Sequence, residues 1–186
     1  MDRRGTSRVA STLNVRADRL LQTQAIYPIA PELSPTGEPA YLDVVPTPEG
    51  YNHIALFSPA DSSTPQFLTS GEWEVTSEIL AVDVNRSLVY FQAANPSSTQ
   101  RHIYSVPLPK LTTAETVAPT ALTDTSSPGY YEASFSPEGG FYLLSYHGPH
   151  APWQRVIRVG DDGVPYPQIR PRSRLSLLHA QISITF

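Results

Sequence analysis

His53-Ile54-Ala55-Leu56-Phe57 recurs 49 positions later as His102-Ile103-Tyr104-Ser105-Val106. Gln66-Phe67-Leu68-Thr69 recurs 54 positions later as Thr120-Ala121-Leu122-Thr123, and Leu88-Val89-Tyr90-Phe91 recurs 53 later as Phe141-Tyr142-Leu143-Leu144. Each copy is short, rich in strand-forming residues and bounded by turn residues. A β-rich repeat of about 40 to 50 residues is the pattern of propeller blades. One blade cannot bury both of its faces alone, so the repeat predicts sheets that need other sheets beside them.

Working outward from these copies, strand and turn signals follow closely from residue 40. Tyr41–Val45 leads through Pro46-Thr47-Pro48-Glu49-Gly50 into Asn52–Ser58, a predicted hairpin. Asp61-Ser62-Ser63-Thr64-Pro65 turns the chain into Gln66–Thr69. The second unit runs Ile79–Val84, a turn at Asn85-Arg86-Ser87, Leu88–Ala93, Arg101–Val106, a Thr-rich loop over Lys110–Val117, and a short strand near Thr120–Thr123. The third runs Tyr130–Ser136, a turn at Pro137-Glu138-Gly139-Gly140, Phe141–His147 and Arg155–Val159. The middle unit has all four strands. The first lacks an innermost strand and the third an outermost one. The fold class is all-β, an incomplete β-propeller of about two to three four-stranded antiparallel blades, too few for a closed ring.

Three segments follow from this reading. Residues 1–39 form a basic, Pro-rich and poorly structured segment; Leu13, Leu20 and Leu21 fit a helix loosely, and Pro28, Pro31, Pro35 and Pro39 exclude one from 28 to 39. Residues 40–164 carry the partial propeller. Residues 165–186 form a basic tail of unknown structure.

The net charge of −4 hides a partition between these segments. Residues 1–24 sum to +3 and residues 165–186 to +3, whereas the residues between sum to −10. An acidic body repels phosphate backbones, so the repeats are not expected to bind nucleic acid. The chain has no cysteine, which excludes disulfides, thiolate metal sites and a cysteine nucleophile. No run of about 18 apolar residues is present, so no membrane-spanning helix is expected. Met1-Asp2-Arg3-Arg4-Gly5 is followed by no apolar run, so no signal peptide is expected there.

Candidate chemistry is sparse. No Gly-x-Ser-x-Gly elbow occurs, which argues against a self-contained serine hydrolase. His147 and His150 have the spacing of one zinc half-site, but no partner pair accompanies them and Gly148-Pro149 marks a surface turn, so loop histidines are the plainer reading. In Glu72-Trp73-Glu74, a strand would put both carboxylates on one face and the indole on the other. That face could hold an ammonium group, or simply be solvated over a buried tryptophan. Asn85-Arg86-Ser87 is an N-glycosylation sequon at a predicted hairpin tip, making Asn85 the one candidate modification site. No catalytic, substrate-binding or metal-binding residue is assigned, and no cofactor is expected.

Gly50-Tyr51-Asn52-His53-Ile54-Ala55-Leu56-Phe57, Leu68-Thr69-Ser70-Gly71-Glu72-Trp73-Glu74-Val75 and Arg101-His102-Ile103-Tyr104-Ser105-Val106 resemble the propeller domain of dipeptidyl-peptidase IV-type serine peptidases, fungal dipeptidyl aminopeptidases above all. Tyr130-Tyr131-Glu132-Ala133-Ser134-Phe135-Ser136 and Tyr142-Leu143-Leu144-Ser145-Tyr146-His147-Gly148-Pro149 are similar to the same domain. The resemblance spans about residues 40–159 and covers late blades only. It implies a non-catalytic portion of an exopeptidase that releases N-terminal dipeptides, with the remaining blades and an α/β-hydrolase domain as partners. It also implies a peptide substrate for the complete protein, a homodimer in the family, and the secretory route to a vacuolar membrane or the exterior. The family's Ser-Asp-His triad and its paired-glutamate motif have no counterpart here; Glu72 and Glu74 do not match the latter. The rival expectation is a stand-alone β-rich interaction module that recruits a partner at exposed strand edges.

Overall fold

A computed structural model describes residues 26–109, 117–137, 139–160, Gly163 and Pro165. Residues 1–25, most of the Thr-rich loop and nearly all of the basic tail lie outside the described residues. The strands are β1 (Tyr27–Ile29), β2 (Ala40–Pro46), β3 (Asn52–Phe57), β4 (Gln66–Phe67), β5 (Ala81–Asp83), β6 (Leu88–Ala93), β7 (His102–Pro107), β8 (Thr120–Ala121), β9 (Tyr130–Phe135), β10 (Phe141–Gly148) and β11 (Trp153–Arg158). They form three antiparallel meanders: β1-β2-β3-β4, β5-β6-β7-β8 and β9-β10-β11. The first two sheets have four strands and the third has three, an incomplete propeller as the repeat predicted.

Side-chain alternation sets which sheet covers which. In sheet one, Ala40, Leu42 and Val44 of β2 and Ile54 and Leu56 of β3 face sheet two. They meet Val89, Phe91, Ala93, Tyr104 and Val106 there. The opposite face of sheet two offers Tyr90 and Ile103 to Tyr142, Leu144 and Ile157 of sheet three. Sheet two is therefore apolar on both faces, which explains why β6 and β7 read as nearly continuous apolar runs. Burying each such aliphatic or aromatic side chain contributes roughly 1.5–3 kcal/mol. Rings seal the second junction: Tyr90 stacks on Phe135 at 4.3 Å and Phe135 on Tyr142 at 4.8 Å.

The turns explain themselves locally. Between β2 and β3, Gly50 N–H donates to the Thr47 carbonyl, and Gly50 holds φ +94°, a region open to glycine. Between β5 and β6, the Asp83 carboxylate accepts the Arg86 backbone N–H at 3.0 Å and pairs with its guanidinium at 2.5 Å. The β9–β10 turn rests on this pair, because a Cβ at Gly139 would stand 3.0 Å from Asp83 Oδ2.

Two expectations need correction. Residues 26–39 are not unstructured: β1 pairs with β2 through Tyr27↔Leu42, Pro28↔Tyr41 and Ile29↔Ala40, and Pro31–Leu33 make one 3₁₀ turn. The first unit thus has the strand it was expected to lack. Pro28 had argued only against a helix, and a proline without a donor is tolerated on an edge strand, as β1 is. The second correction is in the Glu72-Trp73-Glu74 segment, which is bent rather than extended. The third sheet, expected to lack an outermost strand, shows at that edge an isolated Val159↔Pro165 bridge among the described residues.

Candidate functional site

Four buried polar residues, His53, Thr69, His102 and Thr123, sit at two equivalent places, where the third strand of a sheet meets the chain leaving its fourth. In sheet one the Ile54 backbone N–H donates to Thr69 Oγ1 at 3.0 Å, and Thr69 Oγ1 lies 3.0 Å from His53 Nδ1. His53 Nε2 lies 3.1 Å from the Gly71 carbonyl oxygen. A carbonyl can only accept, so Nε2 carries the proton and Nδ1 accepts from the threonine hydroxyl. Sheet two repeats the arrangement: Ile103 N–H to Thr123 Oγ1 at 3.3 Å, Thr123 Oγ1 to His102 Nδ1 at 3.0 Å, and His102 Nε2 to Gln100 Oε1 at 2.9 Å.

An aromatic ring from the following segment covers each imidazole. Trp73 meets His53 edge-on at 4.7 Å and reaches Phe91 and Tyr104 of the next sheet at 6.3 and 6.4 Å. Tyr131 lies 5.3 Å from His102 and 5.0 Å from Tyr146. Each ring folds back over a glycine two residues earlier. A Cβ at Gly71 would stand 2.6 Å from Trp73 Nε1, and one at Gly129 would collide with Tyr131 Cε2. Gly71 also holds φ +129°.

Burial is the main reason both imidazoles titrate below the usual histidine range. The Gly71 carbonyl, Glu49 and Glu74 oppose the shift at His53, and Asp124 opposes it at His102. Neutral and fully hydrogen-bonded, each histidine ties its strand to the next segment. Their hydroxyl partners are buried and already engaged, so neither His–Thr pair offers an exposed nucleophile. These are structural latches, and the sequence contains their signal. The histidine and the threonine recur together in the repeated stretches, while Gly71-Glu72-Trp73-Glu74 is echoed by Gly129-Tyr130-Tyr131-Glu132. The sequence reading paired the strands but missed the side-chain partnership.

The candidates named from sequence separate in space. His147 Nε2 pairs with Glu132 at 3.1 Å on the exposed face, and the His150 backbone N–H donates to Tyr146 Oη. Among the described residues no group of three or more His, Asp or Glu side chains assembles a metal site. Glu74 accepts from Asn52 Nδ2 at 3.4 Å while Glu72 is exposed, so the two carboxylates do not share the face that a strand would have given them. Asn85 is exposed in the β5–β6 turn. Asp43, half-buried on sheet one, has its carboxyl pushed up by burial, against a 2.7 Å hydrogen bond from the Val44 N–H. No described helix is long and apolar enough to cross a membrane.

Comparison with known proteins agrees with this architecture. The family described as the dipeptidyl peptidase IV N-terminal region matches residues 10–153. The probable dipeptidyl-aminopeptidase B of Aspergillus oryzae is 47% identical over 126 residues, covering 68% of this chain and 13% of that protein. The Emericella nidulans protein of the same name is 46% identical over 145 residues, covering 77% of this chain and 15% of the relative. This chain therefore spans only a small part of each relative's length. The crystal structure of Porphyromonas gingivalis dipeptidyl peptidase 4 superposes with a TM-score of 0.55 at 22% identity, over 76% of this chain and 17% of that one. That likeness is one of fold.

Proposed function

This chain belongs to the dipeptidyl peptidase IV N-terminal region family, and from that premise we propose that it serves as a non-catalytic run of propeller blades in a dipeptidyl-peptidase IV-like serine exopeptidase. The blades pack the ring beside an α/β-hydrolase domain and limit the access of short peptides to it. The complete protein would release N-terminal dipeptides by acyl transfer, using a nucleophile, base and oxyanion hole. The observation that carries this reading is the family match over residues 10–153, laid on three meander sheets stacked face to face. It is supported by the lack of a Gly-x-Ser-x-Gly elbow in the sequence and by the engagement of His53 and His102 in buried latches.

The test is a replacement. Residues 40–159 of this chain are placed in the Aspergillus oryzae relative in exchange for its matching segment, and hydrolysis of an Xaa-Pro chromogenic amide is measured. The chimera is expected to hydrolyse the amide; a chimera that folds and is inert would overturn the reading. Purified chain alone is expected to hydrolyse none. Turnover that persists against a mock purification would equally defeat the proposal.

The second reading, a stand-alone interaction module, draws on the apolar residues exposed on sheet three. It predicts a soluble monomer with one sharp thermal transition, whereas blades without neighbours melt broadly or associate.

A further inference from the structure

Gln92 lies on β6 two positions after Tyr90, on the face of sheet two turned to sheet three, and is 8% exposed. Both ends of its amide are engaged. Nε2 donates to the Tyr131 carbonyl oxygen at 2.6 Å, and Oε1 accepts from Thr76 Oγ1 at 2.9 Å. A carbonyl can only accept, so this orientation satisfies both partners, whereas the flipped amide would set two oxygens against each other. The backbone of Gln92 is tied to the same segment. Its N–H donates to Ser77 Oγ at 3.2 Å, and its carbonyl accepts the Thr76 N–H at 3.0 Å.

These bonds join the two latches. Thr76 follows Trp73 by three residues, and between them the Val75 N–H donates to the carbonyl of Asn52, the neighbour of His53. Tyr131 carries the ring beside His102, and its N–H donates to the carbonyl of Arg101, the neighbour of His102. One line of contacts therefore runs from His53 through Trp73, Thr76, Gln92 and Tyr131 to His102. Trp73 also reaches Phe91 and Tyr104 on the other face of sheet two, which makes a second route between the sheets. We propose that Gln92 couples the two latches, so that loosening one loosens the other. The amide keeps both bonds only while the segment behind Trp73 and the Tyr131 peptide hold their positions together. A shift of either leaves a buried polar group unpaired, and that cost is what passes from one latch to the other. The coupling depends on contacts within the chain and is independent of the peptidase reading.

Native-state hydrogen exchange of the full chain, resolved by residue, reads each latch through one amide: the Ile54 N–H on Thr69 Oγ1 and the Ile103 N–H on Thr123 Oγ1. The Val159 N–H, bound to the Gly140 carbonyl at the far end of sheet three, is the reference in the same chain. Thr69→Val is expected to speed exchange at Ile103 about 10-fold relative to Val159. Thr123→Val is expected to do the same at Ile54, because coupling between two sites is reciprocal. In a Thr76→Val background, which removes one bond of the Gln92 amide and touches neither latch, neither substitution is expected to shift the other latch's amide against Val159. Without Thr76→Val, an unchanged ratio would overturn the proposal, whether both amides stay slow or both quicken together. An effect of the expected size that survives Thr76→Val would overturn it as well, because the coupling would then run through Trp73 and Phe91. If one of the two threonine variants does not fold, the reciprocal variant decides the question alone.

Discussion

His102 Nδ1 lies 3.0 Å from Thr123 Oγ1, repeating in sheet two the 3.0 Å contact between His53 and Thr69 in sheet one. Each threonine oxygen also accepts a backbone N–H, so one buried hydroxyl satisfies two groups. Thr69→Val or Thr123→Val keeps the shape and strands both, which is expected to cost about 1–3 kcal/mol per site in urea denaturation. Thr→Ser at either site should recover most of the loss, and an unchanged midpoint in both valine variants would remove the latch.

Both latch histidines hold a proton less readily folded than unfolded. The unfolded chain therefore binds more protons below the ordinary histidine value of 6.5, and stability falls there. The latch contribution is expected to be intact above that pH and to decline as pH drops toward the depressed folded values. Denaturation midpoints measured from pH 8 to pH 5 test this. The His53→Gln/His102→Gln chain should show a shallower acid decline than the parent.

Gly71→Ala is expected to lower the melting temperature more than Gly37→Ala. Both positions hold positive φ, but a Cβ at Gly37 meets nothing within 4 Å, whereas at Gly71 it presses on Trp73. The difference should come with a red shift of tryptophan emission as Trp73 is pushed off His53. Equal effects without a spectral change would mean that backbone conformation alone governs the site.

Asp83 is buried against Arg86 and under the β9–β10 turn. Removing one partner of such a pair leaves the other's charge poorly compensated, so Asp83→Ala is expected to cost about 3 kcal/mol. Thermal denaturation showing a loss no larger than that of an exposed control such as Asp61→Ala would contradict this.

Asn85 stands exposed in its turn, open to a glycosyltransferase. Expression through a eukaryotic secretory pathway is expected to give a product whose gel mobility rises on glycosidase treatment and on Asn85→Gln. Identical mobility of both proteins would remove the modification.

Strand positions were largely legible because β6 and β7 carry apolar residues on both faces, with proline in the loop between them and at the end of β7. β6 coincides with the predicted Leu88–Ala93, and β7 differs from Arg101–Val106 by one residue at each end. β1 went unread because the prolines from 28 to 39 were weighed only against a helix, whereas Pro28's missing donor costs nothing on an edge strand. Glu72-Trp73-Glu74 was misread because alternation alone cannot show that an indole folds back over Gly71. The latches were half legible: the repeat displayed both histidines and both threonines, but their partnership spans 16 and 21 residues and depends on how the chain returns. Family membership was readable from the quoted stretches, and the match over residues 10–153 agrees with it.

The middle sheet is roofed on both sides while its neighbours are each roofed by it on one. Deuterium should therefore enter the flanking strands first and the amides of Val89 to Gln92 last, so that β6 keeps the longest memory of its protons. The same asymmetry makes the middle sheet the keystone for any shortened version: without it, the outer two would lose the surface they share and drift apart.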